Sequence, residues 1–258
     1  MKIGIYQLKE NQKITSLLEN KILENGHVID NEHPDLVFFI GGDGTFLRVV
    51  QQYIDQLDHI LFVGLKTGSL GFFYDFNEKD LDSLFIKIAN KEYLIKEFPL
   101  LKGKAIYENE EKEFYAVNEI RLENPFRTLI SNVSINDEPL EVFRGNGLIV
   151  SSCLGSSAYN KSLGGALIDH DLECLQLTEI ASIQNNAYRS INSPLVLAKD
   201  KTITFTGDFI EAFVGYDYLS INQDNLLSLN ISLSNKKVRL MYHLDHSFIR
   251  TLRKSFVA

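Results

Sequence analysis

The sequence predicts an α/β N-terminal domain with a Rossmann-like parallel sheet, followed by a mostly β C-terminal domain. Two observations predict this fold class. Up to residue 99, short apolar strands alternate with helical patterns, as they do in parallel βαβ units. From residue 100 onward, strand-like segments follow one another, separated by turn residues. We therefore expect domains at 1–99 and 100–237, with the last segment, 238–258, returning to the first domain.

Apolar spacing predicts the elements of the first part. Ile14, Leu18 and Ile22 recur at helical spacing, and this pattern stops at Asn25-Gly26. The predicted strands are 2–6, 28–29, 36–40 and 59–63, and the predicted helices are 9–24, 46–57 and 77–90. The segment 93–98 completes this part, and Pro99 marks its boundary.

The second part is predicted to be made of strands. They are 101–107, 114–121, 129–136, 148–152, 196–198, 202–206 and 226–233. Residues 172–180 fit a helix by period, but alternation from Leu175 to Ala181 is equally acceptable, and we favour a strand there.

Composition excludes several classes of protein. A hydrophobic fraction of 45% supports a proper core. With 26 basic against 34 acidic residues and no basic stripe, nucleic acid is not an expected partner. Apolar runs of about five or six residues are far shorter than the roughly 20 needed to cross a bilayer, so no membrane is expected either. Two cysteines without metal-ligand spacing, in a chain with no signal-peptide pattern at its start, predict a cytoplasmic protein.

The chain is organised around the glycine-rich loop Gly41-Gly42-Asp43-Gly44-Thr45. The five residues before it are apolar on both faces, as in a buried parallel strand, and a helical pattern follows. Glycines at such a turn let consecutive N–H groups cradle a phosphate at the helix N-terminus. A carboxylate there is useful if Asp43 accepts a proton from an attacking hydroxyl or holds Mg²⁺ through water. The loop therefore predicts phosphoryl transfer.

An ordinary Asp-Gly turn is the alternative, because Gly and Asp are common turn residues. In a chain of this length, a chance match to all five residues has odds on the order of one in several thousand. The loop lacks the Gly-Lys-Ser/Thr ending of a P-loop and the Gly-x-Gly-x-x-Gly of the usual dinucleotide fingerprint.

Three further polar regions are candidates for a site. A second glycine-rich loop, 64–73, follows a strand and is expected at the same sheet edge, unless the two loops are unrelated. Asn118 could hydrogen-bond the edge of a base, and Glu119 could accept hydrogen bonds from two ribose hydroxyls. Two adjacent polar residues at the end of a strand are, however, usually only hydrated by solvent. Residues 143–165 crowd small and hydroxyl side chains around Tyr159, where phosphates and a base could bind.

His243 and His246 lie three residues apart, which would place them on one face of a helix. A metal pair is conceivable from this spacing. No carboxylate or third histidine stands at a recognised spacing, so we favour an ordinary structural role and predict no protein-held metal.

The ordered motifs resemble those of the bacterial NAD kinase (ATP-NAD kinase) family over nearly the whole chain. The residues that carry the resemblance are Gly41–Thr45, Gly68–Phe73, Asn118-Glu119, Arg144–Gly147, Ser156–Ser162 and Leu177–Ala181. Diacylglycerol and sphingosine kinases share the first motif, but we do not expect the later ones in them.

The resemblance implies ATP-dependent phosphorylation of the adenosine-ribose 2′-hydroxyl of NAD, giving NADP, with Mg²⁺ or another divalent cation. By position Asp43 would be the general base, and Gly44 and Thr45 would shape its loop. The substrate-binding residues would be Gly44, Phe72 and Phe73 flanking the nucleotide, Asn118 and Glu119 on the adenosine, Arg144, Asn146 facing the nicotinamide, Ser157, Ala158, Tyr159 and Ser162 on the base and phosphates, Ala181 in the pocket wall, and Tyr218 lining the site. NAD and ATP would bind between the two domains, in a homodimer or homotetramer.

The chain departs from the family pattern at three places. Asn146 stands where the family usually has Asp, which predicts weaker binding of cationic NAD⁺. Cys153-Leu154 replaces a more polar, proline-containing stretch, and Tyr218 replaces a smaller or more polar residue. The choice between ATP and polyphosphate as donor stays open on these grounds. The alternative functions are a diacylglycerol-type lipid kinase and a catalytically silent NADP-binding sensor.

Overall fold

A computed structural model of the chain describes residues 1–8, 12–68, 71–221 and 225–257. The chain divides into two compact units. Unit 1 comprises residues 1–98 and 236–258, and unit 2 comprises residues 99–235. Unit 1 is α/β and unit 2 is mostly β, so the predicted fold class is confirmed.

Unit 1 is built on a parallel sheet. Its neighbouring strands are, in order, Val28–Ile29, Lys2–Gln7, Leu36–Gly41, Leu61–Lys66 and the end of Leu226–Tyr242, and Phe76–Asn77 pairs with the end of Leu61–Lys66. The helices are Gln12–Glu24, Asp43–Gln52, Leu81–Asn90 and Phe248–Phe256, with a short 3-10 turn at Glu78–Asp80. Among the described residues no helix is long and apolar enough to cross a membrane.

Burial explains why the strand before the glycine loop lies at the centre of unit 1. Every residue from 36 to 40 is at most 3% exposed, which only a strand covered on both faces allows. Ile14, Leu18 and Ile22 of the first helix join the same core at the predicted helical spacing. The carboxyl end of this strand is therefore held firmly where the loop begins.

Unit 2 consists of two antiparallel sheets. The first contains Glu138–Gly145, Leu129–Ile135, Thr202–Gly207, the start of Leu226–Tyr242, Leu94–Tyr107 and Glu111–Ala116. The second contains Leu195–Ala198, Cys174–Ile180, Gly147–Ser151, Glu119–Glu123, Phe213–Tyr216 and Leu219–Ile221. Both sheets contribute to one apolar core that includes Phe143, Phe205, Leu148 and Leu175. Cys174–Ile180 confirms the strand favoured there by the sequence.

Several predicted boundaries in unit 1 are wrong. The helix predicted at 46–57 is Asp43–Gln52, because Gly42 is extended and acts as its N-cap, while turns replace the helix after Gln52. The strand predicted at 59–63 is Leu61–Lys66. Residues 9–11 of the first predicted helix lie outside the described residues.

Other corrections concern unit 2 and the chain end. The strand Leu94–Tyr107 runs through Pro99, and the two units divide between residues 98 and 99. The strand predicted at 226–233 continues to Tyr242, and Glu138–Gly145, Phe213–Tyr216 and Leu219–Ile221 were not predicted. His243 and His246 lie in a turn, not on a helix, and within the described ranges no three His, Cys, Asp or Glu residues are grouped to hold a metal.

Candidate functional site

The glycine loop of unit 1 presents Asp43 as the first residue of a helix. Gly41 has a φ of 151°, and a Cβ there would collide with the Thr45 hydroxyl, so glycine is required. Thr45 N–H donates to the Gly42 carbonyl at 2.7 Å and closes the turn. Gly42 and Gly44 are exposed, so the backbone on both sides of Asp43 is open to a ligand.

The second glycine-rich loop holds the Asp43 carboxylate. Phe72 N–H donates to Asp43 Oδ1 at 2.9 Å, and Phe73 N–H approaches the same oxygen at 3.4 Å. The Tyr74 hydroxyl donates to the Gly42 carbonyl. The prediction that the two loops converge is therefore confirmed for the residues described, although Ser69 and Leu70 lie outside them.

The environment of Asp43 makes its carboxylate a stronger base. Burial raises the pKa of Asp43 above its usual value. The N–H groups of Phe72 and Phe73 and the charge of Lys66 oppose this rise. Burial is the largest of these effects, so the carboxylate binds a proton more readily than one in water.

The two phenylalanines behave differently. Phe73 is 4% exposed, and its ring lies 4.3 Å from that of Phe46, so it is a core side chain whose backbone N–H faces Asp43. Phe72 is partly exposed, and its ring contacts that of Phe256 at 5.5 Å. Of the two rings, that of Phe72 is the more accessible to a nucleotide.

In unit 2, Asn118 and Glu119 lie at a break between two strands. The single strand predicted at 114–121 is wrong, because the chain bends at 117–118 between Glu111–Ala116 and Glu119–Glu123. At the bend the carboxylate of Asp217 accepts the N–H groups of Val117 and Asn118, both at 2.8 Å. Asn118 Oδ1 and Glu119 Oε2 are buried without a hydrogen-bond partner in the described part of the chain.

Glu119 lies among several charged groups. Arg121 approaches Glu119 at 3.5 Å and binds Glu123 at 2.8 Å. Burial, with the nearby charge of Asp217, raises the pKa of Glu119 to about 8, against the opposing charge of Arg121. Burial also raises the pKa of Asp217 to about 6. The Tyr159 hydroxyl donates to Glu123 at 3.1 Å, which places Tyr159 beside the ion pair of Arg121 and Glu123.

A turn at 152–157 packs directly on this bend. Ser152 Oγ donates to the Val117 carbonyl at 2.6 Å, and Ser152 N–H donates to the Asn118 carbonyl at 2.9 Å. A Cβ on Gly155 would overlap the Asn118 carbonyl oxygen, so only glycine permits this approach. The structure thus brings Asn118, Glu119 and the turn that precedes Tyr159 together.

The remaining predicted residues also belong to unit 2. Asn146 N–H donates to the Ile180 carbonyl at 2.9 Å, next to Ala181, which is exposed and has a φ of 48°. Arg144 lies 4.4 Å from the ring of Tyr188. Ser157 and Ala158 are partly exposed, and Tyr159, Ser162 and Tyr218 are exposed on the surface of unit 2.

Sequence reasoning missed Asp217, Ser152 and Gly155. Asp217 is 6% exposed and holds a backbone about one hundred positions earlier in the chain, a relationship that no local pattern reveals. Ser152 and Gly155 belong to the segment 143–165, whose composition indicates only a concentration of small and hydroxyl side chains. The sequence shows that these small residues are clustered, but it does not show which residues they contact.

Comparison with known proteins supplies the family. Residues 5–93 match the model of the ATP-NAD kinase N-terminal domain, and residues 118–242 match that of the ATP-NAD kinase C-terminal domain. The chain is 36% identical over 260 residues to an NAD kinase of Leuconostoc citreum (strain KM20), covering 100% of this chain and 98% of that protein. The chain belongs to the NAD kinase family. Its enzyme class is accordingly that of a phosphotransferase, as the sequence predicts.

Two further comparisons agree with membership of the NAD kinase family. An NAD kinase of Geobacillus stearothermophilus is 39% identical over 232 residues, covering 89% of this chain and 86% of that one. The fold is shared with an Archaeoglobus fulgidus NAD kinase crystallised with ATP, at a TM-score of 0.81 and 19% identity over 98% of this chain and 99% of that one. It is also shared with yeast NADH kinase crystallised with NADH, at a TM-score of 0.84 and 16% identity over 98% of this chain and 86% of that one.

Proposed function

We propose that this protein transfers the terminal phosphoryl group of ATP to the 2′-hydroxyl of the adenosine ribose of NAD, giving NADP and ADP. The 2′-oxygen forms a bond to the terminal phosphorus, and the bond from that phosphorus to the bridging oxygen of ADP breaks. The hydroxyl proton passes to Asp43. The raised pKa of Asp43, at the first position of a helix and beside exposed glycines, is the observation that carries this proposal.

Asp43 is suited to take the proton because its carboxylate is fixed and only partly solvated. The backbone N–H of Phe72 keeps the carboxylate oriented without neutralising it. Gly44 and Thr45 shape the turn around it, and the accessible Phe72 ring would flank the nucleotide. Phe73 would contribute its backbone N–H, since its ring is packed in the core.

Unit 2 would bind NAD. Asn118 Oδ1 and Glu119 Oε2, which are buried and lack partners among the described residues, would accept hydrogen bonds from the adenosine base and ribose hydroxyls. Ser157, Ala158, Tyr159 and Ser162 would contact the base and phosphates. Arg144, Asn146, Ala181 and Tyr218 would line the remainder of the pocket.

Mg²⁺ would accompany the donor phosphates. Mg²⁺ is usually bound by one or two carboxylates with substrate phosphates and water, which suits a chain whose described residues contain no three-ligand cluster. Asp43 would hold it through water. When bound, the cation neutralises charge on the phosphates.

We also propose a cellular compartment and an oligomeric state for this protein. A reducing, cytoplasmic compartment suits Cys153 and Cys174, which are both buried free thiols. We expect a homodimer or homotetramer, as the family resemblance implies.

The decisive experiment measures NADP formation from NAD, ATP and Mg²⁺ with a coupled NADP-specific dehydrogenase. Wild type should make NADP, and Asp43→Asn should lose turnover by roughly 10²–10⁴-fold while keeping most of its affinity for NAD. Asp58→Asn, which removes an exposed carboxylate of the same unit, is the matched control. Binding of NADP without any turnover in wild type would instead support the sensor alternative.

A further inference from the structure

The two cysteines of the chain lie on neighbouring strands of unit 2. Cys174 begins one strand, and Cys153 lies two positions after the end of the other, Gly147–Ser151. The strands are antiparallel, and Ser151 pairs with Gln176. Continued for two more positions, the same register sets Cys153 opposite Cys174. The two thiols of this protein are therefore cross-strand neighbours.

Both cysteines lie on the same face of their sheet. Val150 and Leu177 belong to the apolar core of unit 2. Side chains alternate between faces along a strand, so Cys153, three positions after Val150, and Cys174, three before Leu177, lie on the other face. Directly opposed residues of antiparallel strands have Cα atoms about 4.5–5.5 Å apart, and a disulfide requires about 4.4–6.8 Å. The register therefore permits a disulfide between them.

The surroundings of the two sulfurs agree with this placement. Both cysteines are free thiols, and both are buried, with 2% of Cys153 and 8% of Cys174 exposed. Burial raises the pKa of both thiols, and the proximity of Cys174 adds to the rise at Cys153, whose pKa is about 12. The pair is therefore protonated at neutral pH, and its resting state is a dithiol.

The segment 166–170 covers this face of the sheet. The Gln176 side chain binds both backbone groups of Ala166, at 2.7 and 3.0 Å. The Cys153 thiol donates to the carbonyl of His170 at 3.6 Å. The segment is neither helix nor strand, so few backbone hydrogen bonds oppose its local opening. A small oxidant could reach the thiols in this way.

Cys153 also belongs to the turn at 152–157 that packs against Asn118. The Cys153 carbonyl accepts the Ser156 hydroxyl at 2.7 Å, and the N–H of Ser152 donates to the Asn118 carbonyl at 2.9 Å. A disulfide brings two Cβ atoms to about 3.8 Å, whereas opposed Cβ atoms in a sheet are about 4.5–5.5 Å apart. The strand of Cys174 is paired on both sides, so the turn is the part that would move.

We propose that Cys153 and Cys174 form a disulfide on exposure to peroxide, and that this bond weakens NAD binding by displacing the turn at 152–157. The effect on NAD rests on the proposed function, whereas formation of the disulfide does not. The protein would then bind less NAD under oxidising conditions and regain its affinity when a thiol reductant cleaves the bond.

The chemistry is a two-electron oxidation by peroxide. The thiolate of Cys174, the more exposed of the pair, attacks one peroxide oxygen; an S–O bond forms, the O–O bond breaks, and the departing hydroxide takes up the thiol proton as water. The sulfur of Cys153 then attacks that of Cys174; the S–S bond forms, the S–O bond breaks, and the hydroxyl leaves with the Cys153 proton as a second water. Because the thiolate is the nucleophile, the reaction should be slow at neutral pH and accelerate about tenfold per pH unit.

The first test detects the bond itself. The full chain is treated with hydrogen peroxide at low protein concentration, its free thiols are counted, and its peptides are analysed by mass spectrometry without reduction. Wild type should lose both thiols, yield one peptide pair joined through Cys153 and Cys174, and regain both thiols with dithiothreitol. Cys174→Ser and Cys174→Ala each leave a single cysteine and are the matched controls. Unchanged thiols, a bond between two chains, or separate sulfinic acids in wild type would overturn the proposal.

The second test compares NAD binding by the oxidised and the reduced protein. Oxidation of wild type should raise the KM of NAD, and its calorimetric Kd, about fivefold and leave the KM of ATP unchanged, as expected for one weakened hydrogen bond. Peroxide-treated Cys174→Ser should behave like its reduced form, which excludes damage elsewhere in the chain. A disulfide that leaves the affinity for NAD unchanged refutes the proposal and leaves the function intact. Absence of NADP formation, with a calorimetric Kd of NAD that rises on oxidation, refutes the function and supports the proposal.

Discussion

Asp217 holds the backbone of Asn118, whose N–H donates to Asp217 Oδ1 at 2.8 Å. The other carboxylate oxygen accepts the N–H of Val117, also at 2.8 Å. In return, Asp217 N–H donates to the Glu119 carbonyl at 3.1 Å, and Arg121 donates to the Asp217 carbonyl at 3.0 Å. A buried carboxylate thus replaces a neighbouring strand where sheet pairing is interrupted, and it fixes the backbone that carries the proposed adenosine-binding side chains.

Replacing Asp217 by Asn should weaken NAD binding. The φ of 46° at this position is one that Asn tolerates, but the amide can accept through only one atom, so one buried N–H loses its partner at a cost of about 1–3 kcal/mol. We expect the KM of NAD to rise about tenfold with a smaller change in kcat, since about 1.4 kcal/mol corresponds to a factor of ten. Asp137→Asn, an exposed aspartate that also has a positive φ, is the control. An unchanged KM would show that Asp217 does not position Asn118.

The acidic limb of the pH–rate profile should report Asp43. Burial raises the pKa of this acid, so its active, ionised form is lost as the pH falls through a value above the usual 3.8. The charge of Lys66 opposes the rise, and Lys66→Met should therefore move this limb to higher pH. Measurement of kcat against pH checks both statements. Lys79→Met, an exposed lysine of the same unit, should leave the limb in place; a limb unmoved by Lys66→Met would contradict the assignment.

Gly155→Ala should disturb unit 2 although it adds a single methyl group. The new Cβ would overlap the Asn118 carbonyl oxygen, a backbone atom that cannot move aside cheaply. Overpacking of this kind costs about 1–3 kcal/mol. Thermal unfolding should show a lower midpoint, and the KM of NAD should rise. At Gly68 no atom of the described residues lies within 4 Å of an added Cβ, so a midpoint lowered equally by Gly68→Ala would contradict the steric explanation.

Asn146→Asp should improve binding of NAD⁺ selectively. The added negative charge would attract the cationic nicotinamide, whereas uncharged dihydronicotinamide would gain nothing. We expect the Kd of NAD⁺ to fall about threefold and that of NADH to stay constant, as suits one exposed charge interaction. Asn132→Asp, also exposed, adds the same charge on the other sheet of unit 2 and is the control. A parallel change for both nucleotides would contradict the charge argument.

The sequence predicted the elements whose periodicity is strong. The strand before the glycine loop is apolar at every position and was correctly predicted, because burial on both faces leaves no other pattern. The helix after it begins at Asp43, three residues before the position that the pattern predicts, because glycines and Asp are typical of loops. Glu138–Gly145 was missed because its residues are mostly exposed and do not alternate clearly.

The candidate site was predictable where chemistry and local sequence coincide. Asp43 stands out because a carboxylate among glycines is rare, and Asn118-Glu119 stands out through the family resemblance. The break at 117–118 was not predictable, since its cause is a carboxylate far along the chain. A cavity between the second glycine-rich loop and the C-terminal helix was not predictable for the same reason, because Lys66 and Lys254, which both line it, are nearly 190 positions apart in the chain.

The sequence alone determined the fold class, the phosphoryl-transfer loop and the family, because each depends on residue order over short stretches. Only the tertiary structure decided which groups surround Asp43 and Glu119 and hence how strongly each holds a proton. A pKa depends on burial and on charges within a few ångströms, and these come from residues that are distant in the chain. The sequence therefore identifies the candidate residues, whereas their affinities for protons depend on the tertiary structure.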